Sequence, residues 1–125
     1  VYVYFGGIEM DTIPDLELIV GNYDEDIGWY YHFGHSVSIA GDLNNDGYDD
    51  IIVGAPSYPD EYGRVYIYFG GEDMDNTYDI LIQDMNNINT LGESVSWVGD
   101  VNKDGFDDFC CGITAESCSL LDLLW

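Results

Sequence analysis

The chain contains FGHSVSIAGDLNNDGYDDIIVG at residues 33–54 and LGESVSWVGDVNKDGFDDFCCG at residues 91–112. The two stretches share most of their residues in the same order. A shorter pair consists of VYVYFGG at residues 1–7 and VYIYFGG at residues 65–71. A period of about 60 residues indicates a protein assembled from similar structural units.

Each unit has the pattern of four short strands joined by turns. Val37 and Ile39 alternate with serines, which is the period of a β-strand, and a loop rich in glycine and asparagine follows at 41–47. A second strand is predicted at 51–53, a third at 65–69 and a weaker fourth near 79–82. The sequence therefore predicts an all-β chain whose unit is a four-stranded antiparallel meander.

The predicted third strand is apolar on both faces. Val65, Ile67 and Phe69 point to one side, whereas Tyr66 and Tyr68 point to the other. Such a strand needs cover on both sides, which a sheet stacked between two similar sheets receives. We therefore predict blades of a β-propeller, with these tyrosines packed between blades rather than in a ligand site.

The pattern D-x-N-x-D-G-x-x-D occurs in both copies of the unit, at residues 42–50 and 100–108. Side chains at positions one, three and five of such a loop can converge on a hard cation, and position seven offers its backbone carbonyl. Glycine at position six permits the sharp turn, and we expect the carboxylate at position nine to close the site. The predicted ligands are Asp42, Asn44, Asp46, the Tyr48 carbonyl and Asp50, with Asp100, Asn102, Asp104, the Phe106 carbonyl and Asp108 in the second loop.

These oxygen ligands favour Ca²⁺ over Mg²⁺, and neither loop contains the His or Cys that zinc prefers. We expect two Ca²⁺ ions, one in each loop. A simpler interpretation is that Asp, Asn and Gly only form turns, but two copies at equivalent places argue against it. A helix-flanked calcium loop requires an acidic residue at position twelve, where this chain has Val53 and Cys111.

Together, Phe33-Gly34, the calcium loop, Gly54-Ala55-Pro56 and the strand at 65–71 resemble the FG-GAP repeat. That family builds the seven-bladed propeller of integrin alpha subunits, and it also occurs in secreted bacterial proteins and a secreted phospholipase D. The resemblance implies the same ten calcium ligands. It covers about residues 1–112 and implies three parts: the outer strands of one blade with a spacer (1–32), a complete repeat (33–90), and the start of another repeat with a divergent tail (91–125).

The second copy departs from the family pattern in two places. It has Leu91-Gly92 where the family has Phe-Gly, and Gly112-Ile113-Thr114 where the family has Gly-Ala-Pro. The following SCSLLDLLW matches no part of the repeat. We therefore expect an incomplete propeller that cannot close a seven-bladed ring alone.

The charge of the chain restricts its partners. Asp and Glu number 25 against 2 Lys and Arg, giving a formal net charge of -23. Nucleic acids and anionic lipids require clustered basic residues, so neither is an expected partner.

No apolar run approaches the roughly 18 residues of a membrane-spanning helix, so we expect no membrane insertion. The three cysteines lie near the end and predict no disulfide framework.

The function expected from these features is that of a binding, adhesion or scaffolding module with structural calcium. Loops of this kind fill at millimolar calcium, which predicts an extracellular, secreted or cell-surface location. A protein or glycan ligand, held by variable loops near 58–62 and 73–76, and the neighbouring blades of the parent protein are the expected partners. The chain carries no nucleophile elbow, zinc-protease motif or phosphate loop, so catalysis by His32 or His35 with nearby carboxylates is disfavoured.

Two alternatives remain open. One is the non-catalytic propeller portion of a larger secreted hydrolase of the phospholipase or glycosidase kind. The other is a salt-adapted acidic propeller, in which surface carboxylates keep the protein hydrated. Rescue of the fold by sodium chloride alone would favour the salt-adapted propeller, whereas saturable rescue by calcium would favour the binding module with structural calcium.

Overall fold

The computed structural model describes residues 1–20, 32–56, 63–83 and 90–113. These residues form eight strands and no helix, so the predicted all-β class is confirmed. Within the same ranges, no helix is long and apolar enough to cross a membrane. The 58–62 segment, one of the two expected partner-binding loops, and the divergent tail from 114 lie outside the described residues.

The centre of the molecule is a four-stranded antiparallel sheet. Its strands are β3 (Ser36–Gly41), β4 (Asp50–Ala55), β5 (Arg64–Tyr68) and β6 (Ile80–Gln83), and they pair in chain order. This is the predicted meander, with β4 extending beyond the expected 51–53 at both ends. We call these four strands the central sheet.

A strand pair lies on each side of the central sheet. β1 (Tyr2–Val3) pairs with β2 (Leu16–Glu17), and we call them the first strand pair. β7 (Ser94–Gly99) pairs with β8 (Asp108–Gly112), and we call them the last strand pair. The register of β7 on β8 reproduces that of β3 on β4, including the irregularity before the glycine at the end of the first strand.

One face of the central sheet packs against the first strand pair. Tyr66 and Tyr68 are 2% and 0% exposed on this face, and Leu18, the residue after β2, is fully buried beside them. The rings of Phe33 and Tyr66 meet edge to face with centroids 5.4 Å apart, a favourable aromatic geometry. Burying an aliphatic side chain completely stabilises a fold by about 1.5–3 kcal/mol, so this interface is a substantial part of the core.

The opposite face packs against the last strand pair. Ala40, Ile52 and Ile67 are buried there, with Val95 and Phe109 of the last strand pair packed against them. Sheets therefore cover β5 on both sides, as its doubly apolar sequence predicts. The antiparallel sheets stack as propeller blades, and within the described residues they do not close a ring.

A glycine allows the central sheet and the last strand pair to approach closely. A Cβ atom at Gly54 would collide with the backbone carbonyl of Gly92. The same carbonyl accepts a 2.8 Å hydrogen bond from the Ser36 hydroxyl. Gly92 lies two residues before β7, so this contact brings the start of the last strand pair close to the central sheet.

Candidate metal-binding loops

Each of the two acidic loops joins two neighbouring antiparallel strands. Loop 1 (residues 42–50) connects β3 to β4, and loop 2 (residues 100–108) connects β7 to β8. Both begin immediately after a glycine with positive φ, 66° at Gly41 and 73° at Gly99. The prediction that the loops join two strands is correct, and no described helix flanks either loop.

The side chains at positions one and three of loop 1 converge on one backbone nitrogen. The N–H of Asp46 donates to Asp42 Oδ1 at 2.9 Å and to Asn44 Oδ1 at 3.0 Å. The Asn44 amide donates in turn to Asp46 Oδ2 at 2.8 Å. These hydrogen bonds hold the first three predicted ligand side chains of loop 1 side by side.

Loop 2 has the same hydrogen-bonding pattern. The N–H of Asp104 donates to Asp100 Oδ1 at 3.1 Å and to Asn102 Oδ1 at 2.9 Å. The Asn102 amide donates to Asp104 Oδ2 at 2.9 Å. The two sequences thus form one local structure at two places in the fold.

Left-handed backbone at positions four and six shapes both loops. Position four is Asn45 with φ of 60° and Lys103 with φ of 63°, and position six is glycine with φ of 94° and 97°. Asparagine adopts this region more readily than most residues, whereas lysine is strained in it. The same φ at two residues of different propensity indicates that the surrounding loop, and not residue four itself, sets this geometry.

Position seven is exposed in both loops. The side chains of Tyr48 and Phe106 are each 44% exposed. Their backbone N–H groups donate to Asp46 Oδ1 at 2.9 Å and to Asp104 Oδ1 at 3.0 Å, respectively. These bonds hold the two backbone carbonyls that are predicted to bind the metal next to the carboxylates of position five.

Asp50, at position nine of loop 1, is fully buried. Its Oδ2 accepts from the Leu43 N–H at 2.8 Å, and its Oδ1 accepts from the Gly70 N–H at 2.9 Å. Burial raises the pKa of the Asp50 carboxyl above its ordinary value, and the two backbone hydrogen bonds lower it in part. The carboxylate therefore ties loop 1 to the turn after β5.

Asp108 is the equivalent residue of loop 2. Its Oδ2 accepts from the Val101 N–H at 2.9 Å, as Asp50 does from Leu43. It is only partly buried. The difference follows from the sheets, because loop 1 lies beside the turn after β5, and the described part of the last strand pair includes no third strand.

The donor chemistry of both loops fits a hard divalent cation. Each offers three carboxylates, one amide oxygen and one backbone carbonyl, which are the ligand types that calcium prefers. Within the described ranges, however, no three His, Cys, Asp or Glu side chains are grouped closely enough to hold a metal ion. The carboxylates are instead directed at backbone N–H groups, so the chemistry of the donors and not their present spacing supports a metal site.

One contact between the loops was not anticipated from the sequence. The N–H of Asp42 donates to Asp107 Oδ2 at 3.0 Å, and the N–H of Asp107 donates to the Asp42 carbonyl at 3.2 Å. Asp107 is position eight of loop 2, outside the predicted ligand set. Only the stacking of the sheets brings it to loop 1, so no local sequence signal identifies it.

The two histidines lie outside the loops. His35 is 3.5 Å from a carboxylate oxygen of Glu93, and its ring lies 6.5 Å from that of His32 in a stacked arrangement. Glu93 belongs to the segment that leads into β7. The His35–Glu93 contact links the segment before β3 to the segment before β7, and both histidines are exposed.

Comparison with known proteins identifies the repeat. A family model described as the FG-GAP repeat matches residues 33–68, the greater part of the central unit. The chain is an FG-GAP repeat protein. The resemblance inferred from Phe33-Gly34, loop 1 and Gly54-Ala55-Pro56 is therefore confirmed.

The relatives of this FG-GAP chain include integrin alpha subunits. It is 40% identical over 118 residues to integrin alpha-5 of Xenopus laevis and 32% identical over 117 residues to integrin alpha-8 of Mus musculus. These matches cover 88% and 87% of the chain but 11% of each relative. It is also 39% identical over 90 residues to integrin alpha-6 of Gallus gallus, covering 70% of the chain and 8% of that relative. The FG-GAP chain thus spans about a tenth of the length of these integrin subunits.

Proposed function

We propose that this chain is a calcium-stabilised β-propeller segment of an extracellular or cell-surface protein that works in binding, adhesion or scaffolding. The observation that carries the proposal is the identical construction of loops 1 and 2. In each, the N–H of position five donates to the side-chain oxygens of positions one and three. Loops that served only as turns would not need matching sets of oxygen-bearing side chains, whereas two equivalent calcium sites would need them.

The residues that would hold calcium are those predicted from the sequence. Asp42, Asn44, Asp46, the Tyr48 carbonyl and Asp50 would serve loop 1, and their counterparts in the second copy of the motif would serve loop 2. A bound ion would offset the charge of four aspartates in each loop, which face no basic residue within loop 1 and only Lys103 within loop 2. Because the Asp50 carboxylate accepts from Leu43 and Gly70, an ion there would stiffen the junction of β3, β4 and β5.

Calcium would have a structural role. Extracellular calcium modules bind at roughly 10⁻⁴ to 10⁻³ M, so millimolar calcium would stabilise each site by about 1 kcal/mol. Cytosolic calcium is far lower, and it would leave such sites unfilled. The similarity to integrin alpha subunits supports the extracellular location and the adhesion role, with a protein or glycan as the ligand. In this proposal the segment itself catalyses no reaction.

The test is a calcium titration by calorimetry on metal-stripped protein. We expect two saturable sites in the wild type, one in Asp46→Ala or Asp104→Ala, and none in the double variant. Magnesium should bind these sites more weakly than calcium in the same titration. Two outcomes would refute the proposal: no saturable binding in the wild type, or full rescue of the fold by sodium chloride with no further stabilisation by calcium, which would favour the salt-adapted propeller.

Two equivalent aspartates outside the loops provide a control variant with the same change in charge. Asp11 accepts from the Ile13 N–H and Asp75 accepts from the Thr77 N–H, both at 2.7 Å, in turns outside the loops. The double variant Asp11→Ala/Asp75→Ala removes the same number of carboxylates as Asp46→Ala/Asp104→Ala. It should retain both calcium sites, which separates specific ligation from a general reduction in negative charge.

A further inference from the structure

The last strand pair contacts the entry of loop 1 at one place. A Cβ atom at Gly41 would collide with the carboxylate of Asp107 and with Nε1 of Trp97, so both side chains lie against the backbone of this glycine. At the next residue, the Asp42 N–H donates to Asp107 Oδ2 at 3.0 Å, and the Asp107 N–H donates to the Asp42 carbonyl at 3.2 Å. We call Gly41, Asp42, Trp97 and Asp107 the loop junction.

The loop junction directly connects the two sets of predicted ligands. Asp42 is position one of loop 1, and its Oδ1 also accepts from the N–H of Asp46 at position five. Asp107 lies between Phe106 and Asp108, which are positions seven and nine of loop 2. A residue flanked on both sides by predicted ligands of loop 2 is therefore hydrogen-bonded, through its backbone and its side chain, to the first predicted ligand of loop 1.

Each loop has to be reorganised before it can hold an ion. In loop 1 the carboxylates of Asp42 and Asp46 accept from the N–H groups of Gly47 and Tyr48. Among the described residues, no three acidic side chains are grouped closely enough to hold a metal. Fixing loop residues in one conformation costs entropy, and this cost is smaller for a loop whose neighbour is already fixed. Contact between the loops therefore favours filling them together.

We propose that loops 1 and 2 bind calcium cooperatively, with an ion in either loop raising the affinity of the other through the contact of Asp42 with Asp107. This inference rests on the proposed function, since it requires both loops to bind calcium. A filled loop 2 would hold the Phe106 carbonyl and the Asp108 carboxylate, and hence Asp107 between them, in one conformation. Asp107 would in turn fix the backbone of Asp42. By linkage, the effect of loop 1 on loop 2 is equal.

Repulsion between the two ions acts in the opposite direction. Salt at about 0.15 M screens exposed charges that lie more than about 8 Å apart. A filled loop also stays negative, because each loop has four aspartates and the one basic residue among them is Lys103. The junction hydrogen bonds act at contact distance, so we expect the favourable contribution to be the larger. Coupling between sites typically changes affinity by about 5- to 150-fold, and two hydrogen bonds at a partly exposed place put the expected factor at about five to ten.

Calcium calorimetry at physiological salt measures this coupling factor. Asp104→Ala leaves loop 1 as the candidate site, and Asp46→Ala leaves loop 2. The coupling factor is the product of the two wild-type association constants divided by the product of the constants of these two single-site variants. Independent loops give a factor of about one, whereas we expect a factor of about five to ten.

Asp107→Ala should abolish the coupling without removing a predicted ligand. The same three measurements are repeated in an Asp107→Ala background and in an Asp49→Ala background. Asp49 is the equivalent, exposed residue of loop 1, so each substitution removes one carboxylate outside the predicted ligand sets. The charge lost in Asp104→Ala or Asp46→Ala is the same in every background, so a difference between backgrounds isolates the contact of Asp107 with loop 1. The factor should fall to about one with Asp107→Ala and stay at about five to ten with Asp49→Ala.

The possible outcomes separate this inference from the proposed function. Near-ultraviolet circular dichroism would establish that the variants are folded, and the wild-type coupling factor tests the proposal even if Asp107→Ala does not fold. Two filled sites with a factor of about one or less would overturn cooperativity and leave the proposed calcium sites intact. Equal factors in the Asp107→Ala and Asp49→Ala backgrounds would overturn the proposed route. Absence of saturable binding in the wild type would overturn both the cooperativity and the proposed function.

Discussion

The backbone N–H of Asp42 donates a 3.0 Å hydrogen bond to the carboxylate of Asp107, which lies 65 residues later in the sequence. The bond joins the first residue of loop 1 to the eighth residue of loop 2. A second bond, from the Asp107 N–H to the Asp42 carbonyl at 3.2 Å, makes the contact reciprocal. The backbone position of one candidate metal ligand therefore depends on a side chain in the neighbouring blade.

Replacing Asp107 with alanine should weaken calcium binding at loop 1. A hydrogen bond to a charged group contributes about 1.5–3 kcal/mol, and if about half of this is lost from binding, the affinity falls by about four- to twelvefold. The measurement is calorimetry in an Asp104→Ala background, where loop 1 is the remaining candidate site. Asp49 is the equivalent residue of loop 1 and is exposed, so Asp49→Ala is the control. Equal affinities in the two variants would contradict the prediction.

Replacing Asp50 with alanine should destabilise the metal-free protein more than replacing Asp108. Asp50→Ala leaves the N–H groups of Leu43 and Gly70 without their acceptor in a buried place. Each unsatisfied buried group costs about 1–3 kcal/mol, so the expected loss for the two groups is about 2–6 kcal/mol. Asp108→Ala removes the one described bond, from Val101, at a partly exposed site and should cost about 1 kcal/mol. Urea denaturation of both variants would show whether the order is reversed.

The stability of the metal-free protein should depend on the protonation of Asp50. Burial raises the pKa of Asp50 in the folded state, so the folded chain binds a proton there more readily than the unfolded chain. This group therefore contributes stability at pH below its unfolded pKa of about 3.9 and loses it as pH rises through the folded pKa. The stability of wild type relative to Asp50→Asn should increase on acidification from neutral pH. A difference that is constant or decreases in urea denaturation at several pH values would refute this.

Adding a methyl group at Gly54 should disturb the packing of the central sheet on the last strand pair. Its Cβ would meet the Gly92 carbonyl, which is backbone and cannot move aside alone. Overpacking of this kind costs about 1–3 kcal/mol. At the equivalent Gly112, the nearest obstacle is the Ser94 hydroxyl, a side chain that can rotate. Thermal denaturation should therefore show Gly54→Ala to be less stable than Gly112→Ala, and equal stabilities would count against the described stacking.

Removing the hydroxyl of Tyr68 should not destabilise the protein. The Tyr68 Oη is buried, and within the described residues it has no hydrogen-bond partner. A buried hydroxyl without a partner is unfavourable, so Tyr68→Phe should leave stability unchanged or raise it by about 1 kcal/mol. Tyr4 is the exposed counterpart, and Tyr4→Phe should have no effect. A loss of stability in Tyr68→Phe, measured by urea denaturation, would show that the hydroxyl has a partner in solution.

Local sequence determined the strands and the loops of this protein. Alternation of apolar residues predicted the four-stranded meander, and the spacing of Asp, Asn and Gly predicted two loops of one geometry. The loop geometry follows from hydrogen bonds between near neighbours in the chain, such as Asp42 with Asp46 and Gly47. The doubly apolar β5 also predicted stacking, because a strand with no polar face needs cover on both sides.

Tertiary structure alone decided which residues meet across the sheets. VYVYFGG and VYIYFGG differ at one position, yet Tyr4 is 44% exposed and Tyr68 is buried. Likewise, Asp49 and Asp107 occupy the same loop position, but only Asp107 has a described contact with a neighbouring loop. Identical local sequences encode identical local geometry. Burial and inter-loop hydrogen bonds instead depend on the sheet that stacks against each copy, which is set by contacts between repeats about 60 residues apart in the chain.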